Sequence, residues 1–303
     1  MSGAAICAIG ARMRFALIAR ETTPTNESIA GAIVEGMRWE LMSPEEALHT
    51  LRPGDAALGR LDVLPTLDGI EDGMWALGAL EARRVVVLND AAALFATHEK
   101  LLTARLLRRA GLPHPRTAHI RPDRPFPAVR PPVVVKPRFG SGGKGVTRCD
   151  DEHSLYETLA LLSGSAWFEQ QGVLVQELVP PQGYDLRILV AAECIVGAIF
   201  RIAAEGEWRT NIALGGARRP VQDPPKEACE VALAAAQAAG AALVGVDLAR
   251  DVDGSWIVIE LNGAVEFTSE YQPGGDVFSD VAGSLARHAF ALRASRAAAS
   301  AAA

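Results

Sequence analysis

Two rhythms of apolar residues alternate along the first third of this chain. Short dense runs such as "RFALIAR", "DAALGRL" and "VVVLN" have the length of strands. Between them lie segments with helical spacing. "GMWALGALEARR" predicts a helix leading into "VVVLN". "SPEEALHTL" predicts another, with Ser43 as N-cap, Pro44 at the first helical position and Glu46 three residues after the cap. This alternation predicts a small doubly wound α/β unit over residues 13–92.

Helices are expected across "DAAALFATHEKLLTARLLRRAG", the second one stopped by Gly111 and Pro113. "PDRPFPAVRPP", residues 122–132, is too stiff and too poor in donors for a sheet interior and reads as a connector. Strands then dominate, at 133–136, 146–149, 173–178, 185–191 and 194–201. "KEACEVALAAAQAAG" is a helix closed by Gly240, and a hairpin and a helix over 277–293 follow. The expected units are therefore 13–92, 93–172 and 173–293. A flexible leader, 1–12, precedes them, and the Ala-rich segment 294–303 reads as a disordered tail.

Two stretches put polar groups where the pattern asks for apolar ones. In "LVGVDLARDVDGSWIVIELN", residues 243–262, Asp253-Gly254 is a two-residue hairpin signal. That turn pairs Val252 with Ser255 and sets Asp247 opposite Glu260. Asn262 shares their face, while Val246, Leu248, Ile259 and Leu261 turn to a core. Two opposed carboxylates repel and are expensive to bury, and a divalent cation removes the problem. All-oxygen ligands suit Mg²⁺ or Mn²⁺. The plainer reading is a solvated face with a chance acidic pair.

The other stretch is "VVVKPRFGSGGKGVTR", residues 133–148. Its glycines fit G-x-G-x-x-G, but a dinucleotide fingerprint should open a helix, and here a strand follows. No Ser or Thr follows Lys144, so it is no Walker A loop. No HRD or DFG sequence supports a kinase. Strand, glycine loop, strand predicts a flap whose backbone N–H groups can cover nucleotide phosphates, or else an ordinary hairpin. Lys136, ending an apolar strand, needs a partner, and a phosphate would serve.

Composition narrows the classes. A formal net charge of −6 argues against broad nucleic-acid binding. Cys7, Cys149, Cys194 and Cys229 form no CxxC pair, and buried or half-buried thiols in a reducing compartment are expected. No apolar run reaches the roughly 18 residues of a membrane span, and "MSGAAICAIGAR" lacks the basic start of a secretory signal. A cytoplasmic protein is expected.

A phosphate flap, a strand lysine and a carboxylate–carboxylate–asparagine face together resemble the ATP-grasp ligases, and within them the RimK-type branch. That branch includes glutamate ligases acting on a ribosomal protein and on coenzymes, and the carrier-protein ligases of lysine biosynthesis. The resemblance runs from about Asp55 to about His288. It implies an ATP-grasp fold behind a Rossmann-like pre-ATP-grasp domain.

It also implies roles. Lys100 in "THEK" and Lys136 in "VVKP" look like the two ATP lysines, and Ser141, Gly142, Gly143 and Lys144 like the phosphate flap. "VQELV" resembles the hinge, with Glu177, Leu178 and Val179 at adenine and ribose. "DLRILV" brings Asp185 to the nucleotide and Arg187 to phosphate, and "EWRTNIALGG" brings Arg209 and Asn211 to the transfer site. Asp247, Glu260 and Asn262 would hold two Mg²⁺ or Mn²⁺ ions. "NGAVEFTSEY" is nearer to the lysine-biosynthesis ligases than to the ribosomal-protein glutamate ligase.

The implied activity is an ATP-dependent carboxylate–amine ligation through an acyl phosphate. Its partners would be an amino-acid carboxylate and an amine on a small molecule or protein tail, with a homo-oligomer an open option. An inert ATP-binding scaffold and a carboxylate kinase are the alternatives.

Overall fold

The computed structural model describes residues 13–123 and 130–302. The expected leader, with Cys7, and the middle of the Pro-rich connector lie outside them.

The first unit comprises β1 (Phe15–Ile18), α1 (Pro24–Gly31), β2 (Ile33–Val34), β3 (Met37–Met42), α2 (Pro44–Thr50), β4 (Ala56–Gly59), α3 (Met74–Ala82) and β5 (Val86–Leu88). The sheet order is β2-β3-β1-β4-β5. β1 is parallel to β3 and β4, and β4 to β5, as the alternation predicts. Ser43 Oγ accepts from the Glu46 N–H at 3.1 Å, which starts α2 as expected. The β2–β3 hairpin is unpredicted, because its turn is Glu35-Gly36, both at positive φ (51° and 77°), rather than a familiar Asn-Gly pair. Alternate β1 side chains serve two cores, with Phe15 and Leu17 in one and Ala16 and Ile18 in the other.

The middle unit runs α4 (Ala91–His98), α5 (Lys100–Arg109), β6 (Thr117–Ile120), β7 (Val133–Pro137), β8 (Thr147–Cys149), α6 (Glu152–Leu162), α7 (Ala166–Gln171) and β9 (Val173–Glu177). Its antiparallel sheet has the order β6-β9-β7-β8. This corrects the expected division before Val173. β9 pairs with β6 and β7, so the chain leaves this sheet after Glu177. The β7–β8 connection is the glycine-rich loop, between antiparallel strands as predicted.

The last unit holds β10 (Tyr184–Ala191), β11 (Cys194–Ile202), β12 (Ala217–Pro220), α8 (Lys226–Ala239), β13 (Leu243–Arg250), β14 (Trp256–Asn262) and α9 (Val277–Ala302). The sheet order is β12-β11-β10-β13-β14, all antiparallel. The small side chains of α8 (Ala228, Ala232, Ala235) pack against Ile188, Val246, Leu248 and Val258. That burial takes one face of the sheet and leaves the other for charged groups.

Two further expectations change. α9 runs on to Ala302 where a disordered tail was expected, because alanine is the strongest helix former and Arg296 reaches the Val85 carbonyl at 3.3 Å. Cys194, expected to be at least half-buried, is exposed at the first position of β11, just after the turn from β10. Asn89 is fully buried and ties the first unit to the last. Its Nδ2 donates to Leu243 O and Gly263 O (2.7 and 3.2 Å), and its Oδ1 accepts from the N–H of Ala242 and Leu243 (2.7 and 3.0 Å). Among the described residues no helix is long and apolar enough to cross a membrane.

Candidate active site

Every site residue expected from the sequence lines one of two adjoining cavities. The first lies between the glycine loop and the charged face of the last sheet. Lys100, Lys136, Ser141, Gly143, Lys144, Glu177, Leu178, Val179, Asp185, Arg209, Asn211, Asp247 and Glu260 line it. Gly142, Arg187 and Asn262 line the second, which shares Lys100, Asn211 and Glu260 with the first.

The floor comes from strand register. Asp247 stands opposite Glu260, and Gly245 opposite Asn262. The turn is not the expected one, however. Arg250 pairs with Trp256, so the tip is one step out of the predicted register, and an irregularity between Asp247 and Leu248 restores it. Ile259 is the extra residue, and such a bulge re-aims the side chains around it. Ile259 consequently lines the first cavity instead of joining the core, where Val258 sits.

The charges of this floor are already balanced. Asp247 is 1% exposed; its Oδ1 accepts from Arg187 Nε at 2.5 Å, and its Oδ2 from Arg187 (2.7 Å) and Arg201 (2.8 Å). Burial alone would push the Asp247 carboxyl up, but the two guanidinia outweigh it and hold it below the usual range. Arg201 also pairs with Asp185, whose Oδ2 accepts from Thr210 Oγ1 at 2.7 Å. Glu260 pairs with Lys100 at 2.8 Å. Burial again raises its carboxyl, and the Lys100 ammonium, with Lys136 behind it, outweighs that rise and the push from Asp247. Electrostatic relief by a metal is thus not required to bury these carboxylates, contrary to the argument from sequence.

The donor set still suits a hard cation in part. Among the described residues no three His, Cys, Asp or Glu side chains form a metal cluster. Glu260 and Asn262 offer oxygens beside the cavity, and Asp247 would join them only if a guanidinium moved aside. Mg²⁺ ordinarily takes one or two protein oxygens and fills its shell with phosphate and water, so Glu260 and Asn262 fit it.

Lys136 is buried, and its Nζ donates to Gln176 Oε1 at 2.6 Å. The amide is oriented from behind. His114 Nδ1 donates to the Val258 carbonyl (2.8 Å), so its Nε2 accepts from Gln176 Nε2 (3.2 Å), which also donates to Thr117 Oγ1 (2.8 Å). Burial, then Lys100, lowers Lys136 to about 8, although Glu260 and Asp247 oppose the shift. Lys100 opens α5, and its Nζ reaches both Glu260 and the Gly140 carbonyl, the latter at 2.6 Å. It is a cavity residue, not part of a solvated helix face.

The glycine loop is tied at its other end by Arg209, whose NH1 donates to Gly143 O (3.1 Å) and Val146 O (3.3 Å) while Glu207 holds the rest of the guanidinium. Gly143 has φ 79°, and a Cβ there would stand 2.9 Å from Asn211 Oδ1. Glu177, at the end of β9, pairs with Arg116 at 3.3 Å, and Leu178 and Val179 continue the cavity wall.

Sequence reasoning missed Arg201, Gln176, Asp62 and His98. Arg201 carried a usable signal, since it is a lone charge in the apolar run "CIVGAIFRIA", the same signal that marked Lys136.

Comparison with known proteins gives the family and the fold. A family profile described as RimK-like ATP-grasp domain matches residues 97–285. A probable alpha-L-glutamate ligase of Chromohalobacter salexigens is 32% identical over 218 residues, covering 70% of this chain and 69% of that protein. The alpha-aminoadipate–LysW ligase LysX of Sulfolobus acidocaldarius is 32% identical over 185 residues, covering 60% of this chain and 66% of that protein. Among solved structures, a RimK domain ATP-grasp protein of Sphaerobacter thermophilus superposes with TM-score 0.63 at 20% identity, covering 89% of this chain and 98% of that one. D-alanine–D-alanine ligase of Bacillus anthracis gives 0.67 at 15%, covering 94% and 99%. At these identities the two structures speak for the fold alone.

Proposed function

From a chain that belongs to the RimK-like ATP-grasp family of ATP-dependent ligases, we propose a carboxylate–amine ligase that works through an acyl phosphate and uses an amino acid, glutamate-like, as a substrate. The observation that carries this reading is the meeting of the two cavities at Lys100, Asn211 and Glu260. ATP fills the first cavity, with adenine toward Glu177–Val179 and phosphates under the glycine loop. The acid and the amine occupy the second. Lys100, Lys136 and Arg209 neutralise charge on the transferring phosphoryl group, and the loop N–H groups orient it. The acid's carboxylate oxygen attacks the γ-phosphorus, ADP leaves, and the amine then displaces phosphate at the acyl carbon to give the amide. The closed loop keeps water from the acyl phosphate.

A Mg²⁺ held by Glu260 and Asn262 would supply further charge neutralisation on the phosphates when bound. A small-molecule acid or amine and a protein tail both fit what relatives are named for: LysX for ligation to LysW, and PsnB, of the same fold, for complexes with precursor peptide. The test is a screen for ADP release with Mg-ATP over acids and amines, offered separately and together. Release that needs both supports the ligase. Release with the acid alone points to a carboxylate kinase, and none with any pair to a binding module.

A further inference from the structure

The second cavity holds a carboxylate with no cation in contact among the described residues, Asp62, whose side chain is 46% exposed and opens to the cavity. Its far wall is built by Asp62, which follows β4, and by His98 at the end of α4. The other acids around it have cations in contact: Glu260 has Lys100 at 2.8 Å, Glu266 has the buried Arg60 at 3.1 Å, and Asp247 has Arg187 and Arg201. Asp62 stands apart. Its Oδ1 accepts from the Val63 N–H at 2.7 Å, and among the described residues no lysine or arginine nitrogen lies within 4.0 Å of its carboxylate. Partial burial pushes its carboxyl up, and the Val63 N–H, with Arg60 and Lys100 farther off, offsets only part of that rise.

His98 does not supply that charge. The residue is 6% exposed, and its Nε2 lies 3.0 Å from the Leu61 carbonyl. A carbonyl only accepts, so Nε2 carries the ring proton and Nδ1 is left with a lone pair. Burial, then the Lys100 ammonium, holds the ring down to about 4, so it stays neutral at physiological pH. Nδ1 lies 4.0 Å from Asp62 Oδ1 and has no hydrogen-bond partner among the described residues. The wall therefore offers one anion and one neutral acceptor, and no donor from either side chain. What complements it is a cation carrying several N–H donors. An inorganic cation would want a third ligand, and no such cluster exists among the described residues.

We propose that Asp62 and His98 form the seat for the ammonium group of the amine substrate, which enters as a protonated primary amine of the α-amino-acid type. Asp62 supplies the counter-charge and a charge-assisted acceptor, and His98 Nδ1 supplies a second acceptor. The position suits the reaction, since the same cavity adjoins Lys100 and Glu260, where the acyl phosphate forms, and the ammonium passes one proton to the Asp62 carboxylate before its nitrogen attacks the acyl carbon. This inference rests on the ligase reading, and it goes further in naming which end of the second cavity takes the amine and in what charge state.

Two amine probes test it. Each of the twenty amino acids is offered as the acid with Mg-ATP. Hydroxylamine, uncharged at neutral pH, is one probe, and the twenty amino acids, carried as ammonium ions, are the other. Asp62→Asn keeps the shape and its contact to Val63 while removing the charge. The expected result is that its kcat/KM penalty with the ammonium probe exceeds that with hydroxylamine by about 10- to 100-fold, mostly through KM for the amine. Equal penalties with the two probes, or no penalty with either, would overturn the proposal, as would a wild-type enzyme that accepts hydroxylamine and no amino-acid amine. Absence of both hydroxamate and amide in the wild type with every one of these acids would instead overturn the ligase reading in its form with a free amino acid as the activated acid, and carry the inference with it.

Discussion

Asp247 and Glu260 face each other across a β-hairpin, yet each has its charge cancelled from elsewhere, Asp247 by Arg187 and Arg201 and Glu260 by Lys100. The pair therefore divides its labour. Asp247 is the buried anchor of two guanidinia, and Glu260 is the carboxylate at the junction of the cavities. Glu260→Gln should keep the fold and lose about 10²–10³ in ADP formation. Asp247→Asn leaves two buried guanidinia short of a counter-charge and should cost about 3–5 kcal/mol of stability besides activity. Melting curves set beside ADP assays separate the two. Equal melting of both variants would refute the division. The folded pKa of Asp247 lies below its ordinary 3.8, so its stabilisation is complete above that value and fades as acid takes the pH through the lowered one.

Lys136 costs the fold stability, and on the proposed function it serves ATP binding. Its pKa of about 8, against an ordinary 10.5, means that below pH 8 the fold bears a buried ammonium. Lys136→Met should raise stability by about 1–3 kcal/mol at pH 7 and weaken ATP binding by about 10- to 100-fold. Between pH 8 and 10.5 the unfolded chain holds the extra proton, so wild-type stability gains on the variant and the difference closes by the upper end. Denaturant titrations at pH 7 and pH 10 check the sign, and nucleotide titration checks the loss.

Of the two adjacent glycines at the centre of the loop, both at positive φ, Gly143 should tolerate a side chain less well than Gly142. Gly143→Val puts a branched residue at φ 79° with Asn211 Oδ1 2.9 Å from its Cβ, whereas Gly142 would meet only Ala213, at 3.4 Å, and Gly31 has open space. ATP affinity should fall by about tenfold or more for Gly143→Val, less for Gly142→Val, and not for Gly31→Ala. Wild-type affinity in both loop variants would reduce the loop to a plain hairpin.

Sequence carried much of this because each signal was local. Lys136 and the Asp247–Glu260 pair announce themselves as charges in apolar strands, and the loop by its glycines. Asp62 and His98 sit in a connection and at a helix end with no periodicity to violate, so only the folded arrangement reveals that one lacks a counter-charge and the other a donor. Asn89 closes the predicted strand "VVVLN" with no signal of its own, and its four buried hydrogen bonds depend on a segment more than 150 positions away. Asp247 opposite Glu260 was legible for an imperfect reason. The turn was misjudged by one position, and the bulge at Ile259 cancelled the error.

That cancellation has a consequence for how this hairpin can change. The pairing that fixes Asp247 comes from its other neighbour, through Arg187 of β10, and not from the tip at residues 251–255. Length changes at the tip are thus buffered before they reach the floor of the cavity. Residues 251–255 form a natural place to graft a tag or reporter, and deletion of Ile259 alone would restore a regular ladder with Asp247 still opposite Glu260.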